Sequence, residues 1–258
     1  DVTLDPATRE LRARATLQVA PPVFRFALAD TLAVARATLA GGPAPARAVE
    51  AGDGARAWEI VIPAAGELSI DYGGVLAPLA VGLDHRRVLH DLPPMASAGG
   101  SYLQAGSLWH PAPADRYTYA VTLSLPPGQR GLAPGTLVDE RTLADGGYRA
   151  RFEFPQPAEG IDLMTGPYSV RERLIAADDG RTLRLRTYFM PGQEGLADAY
   201  LDDSARLIAT YSKRIGPYPF AGFSMVASPL PTGFGMPGAT YIAAAILALP
   251  FVRATSLG

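Results

Sequence analysis

Ser224-Met-Val-Ala-Ser-Pro-Leu-Pro-Thr-Gly233-Phe-Gly235-Met-Pro-Gly238-Ala-Thr-Tyr241-Ile-Ala-Ala-Ala-Ile246 reads as a strand, a glycine-rich loop and then an apolar helix from about Tyr241. Its centre, Gly233-Phe-Gly235-Met-Pro-Gly238, has the G-x-G-x-x-G spacing of a dinucleotide-binding loop, which must follow a strand and open a helix inside a β-α-β unit. The rest of that signature is missing. An acid about twenty residues on should hold the ribose hydroxyls, yet Asp203 is the last acid in the chain. Pro237 also lacks a backbone N–H where a pyrophosphate seeks donors. The spacing alone does not make a nucleotide site.

Immediately upstream, Gly195 to Arg214 has a helical period, with Leu201, Ala205, Ile208 and Ser212/Ile215 on one stripe and Tyr200, Leu207 and Tyr211 beside it. Gly216-Pro-Tyr-Pro219 ends that helix, because proline cannot continue it. Thr182-Leu-Arg-Leu-Arg-Thr-Tyr-Phe189 before it is a period-2 strand. Further toward the start the pattern becomes all strand. Short, partly alternating runs occur at 11–19, 23–28, 57–62, 67–72, 117–125, 148–154 and around 168–174. Glycine, proline and aspartate clusters such as Leu39–Pro45 and Gly73-Gly74 separate them. Many short strands with close turn signals predict an antiparallel sandwich. The expected organisation is a β-sandwich over 1–171 followed by a mixed α/β unit over 172–258.

The bulk properties narrow the function classes. The chain has 258 residues, enough for a sizeable core in one large or two ordinary domains. A formal net charge of −2 argues against a nucleic-acid partner, since phosphate recognition needs a basic face. There is no cysteine, which excludes disulfides, thiolate metal sites and a cysteine nucleophile. The longest apolar run, roughly 239–252, is too short to span a bilayer and contains Pro250. The start at Asp1 without methionine, together with the sandwich pattern, leads us to expect a periplasmic or secreted setting.

Candidate catalytic groups are sparse. His85 and His90 are five residues apart, which suits chelation neither on a strand nor on a helix, and a surface loop is expected there. His110, in Ser107-Leu-Trp-His-Pro111, is expected as a turn residue beside a buried tryptophan. No H-E-x-x-H and no G-x-S-x-G occurs. Asp202-Asp203 reads as a solvated helix face.

In order and spacing, several landmarks together resemble the aminopeptidase-N-like gluzincin family of zinc metallopeptidases. Trp109-His-Pro111 ahead of the strand 117–125 is similar to the family's aromatic-x-Pro landmark, and Glu159 to Tyr168 is similar to the close of its sandwich domain. Arg214-Ile-Gly-Pro-Tyr-Pro219 resembles the Gly-x-Tyr-Pro segment, and Met236-Pro-Gly-Ala-Thr-Tyr-Ile242 resembles the Gly-x-Met-Glu-Asn substrate loop with its continuation. The resemblance implies an N-terminal β-sandwich and the first α/β part of a thermolysin-like catalytic domain, ending just before the zinc motif. It implies a peptide substrate, zinc in the full-length parent, no zinc ligand or other cofactor in this chain, and no activity of this chain alone.

By the same resemblance the substrate-binding residues are Gly233, Phe234, Gly235, Met236, Pro237 and Gly238, with Tyr102 and Gln104 on the side of the substrate amine. Either alignment of that loop leaves no glutamate at the position that binds a free amine in the family, which puts exopeptidase specificity in question. The glycines would still let an extended peptide approach the backbone closely, or they only make a turn. The alternative function is a non-catalytic binding or interaction module without a zinc site. In either case the apolar segment 239–251 is expected to favour self-association.

Overall fold

A computed structural model describes residues 1–49, 52, 54–80, 82–88 and 92–249. The chain begins with strands β1 (Val2–Asp5), β2 (Glu10–Val19), β3 (Val23–Ala29), β4 (Leu32–Leu39) and β5 (Gly42–Pro43). Then come β6 (Arg47–Val49), β7 (Ala55–Val61), β8 (Gly66–Val75), β9 (Ala77–Pro78) and the single-turn helix α1 (His85–Val88). Strands β10 (Met95–Ser97), β11 (Gly100–Leu103), β12 (Tyr117–Leu125), β13 (Arg130–Leu132), β14 (Thr136–Thr142), β15 (Tyr148–Ala158) and β16 (Leu163–Gly166) follow.

Eight of these strands form one sheet in the order β14-β15-β12-β1-β2-β8-β4-β5, antiparallel except for β1 beside β12. Strands β3, β7 and β6 form a three-stranded sheet, and β13-β16-β11-β10-β9 a five-stranded one. Period-2 alternation decides which face each strand buries. In β8, Leu68, Ile70 and Tyr72 are buried; in β3 and β7, Phe26, Leu28, Trp58 and Ile60 are buried, and all belong to one core. Each fully buried Leu or Ile side chain contributes about 1.5–3 kcal/mol relative to exposure.

The expected strands are present, with one correction. Gly73 and Gly74 are not a turn; they lie inside β8, opposite Arg12 and Leu11 of β2 and Ala33 and Leu32 of β4. A Cβ at Gly73 would stand 2.4 Å from the Leu11 carbonyl oxygen, and one at Gly74 2.0 Å from that of Thr31. Glycine is there because neighbouring backbone passes where a side chain would be.

The remaining chain forms a second five-stranded sheet. Its elements are β17 (Ser169–Ala176), β18 (Thr182–Phe189), the helix α2 (Ala197–Ile215), β19 (Gly222–Ser228), β20 (Gly233–Met236), β21 (Ala239–Ala243) and the one-turn helix α3 (Ala244–Leu247). The order is β17-β18-β19-β21-β20, with β18, β19 and β21 parallel and the two outer strands antiparallel. Strand β17 pairs with β18 along its whole length, so residues on both sides of position 172 share one strand. Parallel neighbours need a crossover, and α2 supplies it between β18 and β19. The helix buries Ala197, Tyr200, Leu201 and Ser204, whereas Tyr211 and Ile215 of its second half are exposed. Gly216, at φ +130°, ends it, and Lys213 and Arg214 in its last turn complement the helix dipole.

The sheet docks on the sandwich through the even-numbered side of β18. Leu183, Leu185 and Phe189 face α2, while Arg184, Arg186 and Tyr188 face β14 and β15. Arg186 is buried and binds both oxygens of Glu140 on β14, the Tyr188 hydroxyl at 2.7 Å and, at 2.9 Å, Glu172 on β17. The Tyr148 hydroxyl donates to Glu140 at 2.8 Å. No helix among the described residues is long and apolar enough to cross a membrane.

Candidate functional site

The segment expected as a loop and helix is instead a β-hairpin. Gly233 pairs with Ile242, Phe234 with Tyr241, Gly235 with Thr240 and Met236 with Ala239. Pro237-Gly238 is the two-residue reversal: proline fixes its own φ and Gly238 takes φ +72°. The Pro-Gly pair is the sequence signal for this hairpin, and the glycine spacing around it draws attention to a loop instead. The helix starts at Ala244, not near Tyr241, and has a single turn. Pro250 and Phe251, the end of the segment expected to self-associate, lie outside the described residues. With two of its glycines in a strand and five residues between Gly238 and the helix, this stretch cannot wrap a pyrophosphate at a helix N-terminus.

Strand β20 is the outer strand of its sheet, so one side of its backbone is paired with β21 and the other is not. Its side chains alternate. Phe234 and Met236 pack on the core shared with the sandwich. Gly233 and Gly235 are exposed, and a Cβ at either would meet nothing within 4 Å. Backbone groups of this edge are therefore open to an extended chain laid alongside.

Tyr102, on β11, comes to this hairpin from the sandwich side. Its ring stacks on Phe234 with centroids 5.8 Å apart and lies 5.0 Å from Tyr241. The Tyr102 hydroxyl donates to Asp162 at 3.4 Å, and burial together with the Asp162 charge holds the phenol well above its ordinary range. Asp162 Oδ1 also accepts the Ala105 N–H at 3.0 Å, while burial pushes the Asp162 carboxyl up. The β11–β16 register ends with Leu103 opposite Leu163, and Gln104 and Asp162 directly flank that last pair. The Gln104 side-chain oxygen is buried without a hydrogen-bond partner. The structure thus joins Tyr102 directly to Phe234, with Gln104 just past the end of the same ladder. Asp162 is the residue that the sequence reading missed. It is an isolated acid whose place is set by a pairing some sixty residues long in sequence.

His110 is not part of this site. His110 is buried beside Trp109, with ring centroids 4.7 Å apart, and its Nε2 lies 3.3 Å from the Tyr117 hydroxyl. Burial pushes its pKa down to about 4, so it is neutral at pH 7. Trp109 donates its indole N–H to the Ile161 carbonyl at 2.7 Å. His85 is the first residue of α1, and His90 lies outside the described residues. Among the described residues no three His, Asp or Glu side chains are grouped so as to hold a metal ion.

No protein-family model matches the sequence, and no curated protein matches it. Solved structures do match the fold. A two-domain M1 zinc metallopeptidase bound to L-arginine superposes with a TM-score of 0.67 at 20% identity, covering 95% of this chain and 59% of that one. An M1 zinc metallopeptidase from Deinococcus radiodurans bound to a Tyr-Ser-Ala substrate gives a TM-score of 0.67 at 20% identity, covering 98% and 60%. Another structure of an M1 zinc metallopeptidase from that organism gives 0.66 at 21% identity, covering 94% and 58%. The chain thus has the fold of an M1 zinc metallopeptidase over about three fifths of the length of those proteins. The mainly β architecture expected from the sequence, a sandwich followed by an α/β portion, is the one observed.

Proposed function

We propose that this chain is the peptide-positioning part of a metallopeptidase-like protein, receiving an extended peptide along the outer edge of β20. The observation that carries this reading is the open backbone edge at Gly233–Met236: hydrogen-bonded pairs alternate along the ladder from Thr232–Ala243, so the backbone groups of Gly233 and Gly235 face away from β21. Main-chain hydrogen bonds to such an edge provide affinity, and pockets for alternate side chains provide selectivity. Tyr102 backs the hairpin through Phe234 and keeps the edge from rotating. Hydrolysis by zinc-activated water belongs to this proposal only for a whole protein. A hydrolytic zinc takes three protein ligands and a water, and the described residues do not assemble such a set.

The test is peptide binding to residues 1–258 beside a Gly235→Pro variant. The Gly235 N–H faces the open side of β20, so proline there removes an edge donor without taking a hydrogen bond from the hairpin, and the fold should survive. Binding of short extended peptides should weaken about tenfold or more, the value of one to two main-chain hydrogen bonds. Equal binding by both proteins removes the edge from the proposal. Purified 1–258 that carries stoichiometric zinc and cleaves peptides in a chelator-sensitive way overturns the non-hydrolytic role. A second reading is a peptide-binding module without any hydrolytic partner. Absence of zinc-dependent cleavage by the longest natural form of the protein would support it.

A further inference from the structure

The docking face between the second sheet and the sandwich is not filled. A cavity of about 320 Å³ remains there, between β18 and β19 on one side and β14, β15 and the 132–136 segment on the other. That volume is at the lower end of small-ligand pockets, roughly 300–1,000 Å³, which form preferentially where two structural units meet. Most of its wall is apolar, with Leu137 and Phe152 from the sandwich and Leu174 from β17. Thr136 and Ser224 add hydroxyls.

The charged groups in the wall are Arg184 and Arg186, and both are cationic. Their acidic partners, Glu140 and Glu172, stand outside the wall. Arg186 is committed to those acids and to Tyr188, as described above. Arg184, which keeps 40% of its side-chain exposure, has fewer partners, although the Nε of each arginine lacks a hydrogen bond. Its Nη1 donates to the Leu137 carbonyl at 2.9 Å, but its Nε, 3.5 Å from Glu172, is buried without a hydrogen bond. A guanidinium is a planar fork of donors suited to a carboxylate, and a buried donor left without an acceptor costs free energy that a ligand oxygen would recover.

We propose that this cavity binds a small organic carboxylate with a short apolar tail. The carboxylate meets Arg184 and the Ser224 hydroxyl, and the tail lies against Leu137, Phe152 and Leu174. Such a ligand touches both structural units at once and stabilises their docking by mass action. The cavity borders the β20–β21 hairpin at Gly238 and Ala239 but not the outer edge of β20, and it does not depend on the peptide reading.

The probe is hexanoate, with hexanol as the neutral isostere and inorganic phosphate as the anion without a tail. Each is titrated into the full chain by ligand-observed NMR and by thermal unfolding. Hexanoate should bind saturably and raise Tm, and the two controls should not. Arg184→Gln should weaken hexanoate about tenfold or more. Ser224→Leu, which fills the cavity, should abolish binding while keeping a cooperative thermal transition. The proposal is overturned if hexanoate shows no saturable binding, if hexanol or phosphate binds as tightly, or if Arg184→Gln binds like the wild type. Because the comparison of hexanoate with hexanol is made on the wild-type chain, a variant that fails to fold does not rescue the idea.

Discussion

His110 is held as a neutral imidazole between Trp109 and Tyr117, and its burial has a consequence for stability. Burial lowers its pKa to about 4, from the ordinary 6.5 of an exposed chain. Between these values the unfolded chain takes up a proton that the folded chain refuses. Stability from this group is therefore complete above pH 6.5 and falls as pH drops toward 4, with a slope of up to about 1.4 kcal/mol per pH unit. Urea unfolding at several pH values should show this slope in the wild type and a flatter one in His110→Gln; identical slopes would mean that His110 titrates normally. The sequence makes part of this legible. A histidine in Ser107-Leu-Trp-His-Pro111 is readable as sitting beside a buried tryptophan, and it does. Its hydroxyl partner on β12 and the carbonyl that takes the Trp109 N–H, 52 residues away, are set by strand pairing that no local pattern encodes. For the same reason Asp162 stayed invisible beside Tyr102 and Gln104.

Strand β18 shows how far a pattern reaches at the scale of an element. Its alternation correctly predicts a strand with two faces, one of Leu183, Leu185 and Phe189 and one of Arg184, Arg186 and Tyr188. Nothing in the alternation says that the arginine face is covered by a second sheet. That burial makes Arg186 costly to lose. Arg186→Met leaves Glu140 and Glu172 facing an apolar methionine at the junction. The expected destabilisation is about 2–4 kcal/mol, below the full value for a buried pair because Glu140 and Glu172 keep 28% and 36% of their side-chain exposure. Chemical denaturation measures it, and a change under about 0.5 kcal/mol would show that the network contributes nothing net. The variant should also change the acid limb. Burial raises the Glu140 carboxyl, but hydrogen bonds and charge from Arg186, with help from Tyr148, outweigh that and leave it below its ordinary value. A lowered carboxylate pKa contributes stability at neutral pH that is lost as pH falls through the carboxylate range. Arg186→Met should remove part of that loss. The β20–β21 hairpin differs from the helix its sequence suggests for the converse reason: its Pro-Gly turn is a local signal, but an apolar run after glycines fits a strand as well as a helix.

Across the whole molecule the two structural units share one core. Tyr188, Val226, Leu230 and Tyr241 of the second unit belong to the same buried cluster as Leu68, Trp58 and Phe152 of the sandwich. A shared core of this kind predicts one cooperative unfolding transition. Both tryptophans, Trp58 and Trp109, lie in the sandwich, whereas the long helix α2 lies in the second unit. Tryptophan fluorescence and the far-ultraviolet helix signal should therefore give coincident urea transitions. Separated midpoints would show that the units unfold independently and that the junction is weak. The sequence shows two unlike halves but not this continuity, which arises only when the even-numbered side of β18 meets the sandwich. The free edge of β20 has one further consequence at this scale. An unpaired strand edge is a template that any exposed strand in a crowded solution can copy, and proteins keep such edges short or break them. Here the edge has four residues, two of them glycines that disfavour extended pairing, with Pro231 shortly before it and Pro237 just after. The edge whose free backbone can take one short guest strand is thus also a poor seed for runaway sheet growth.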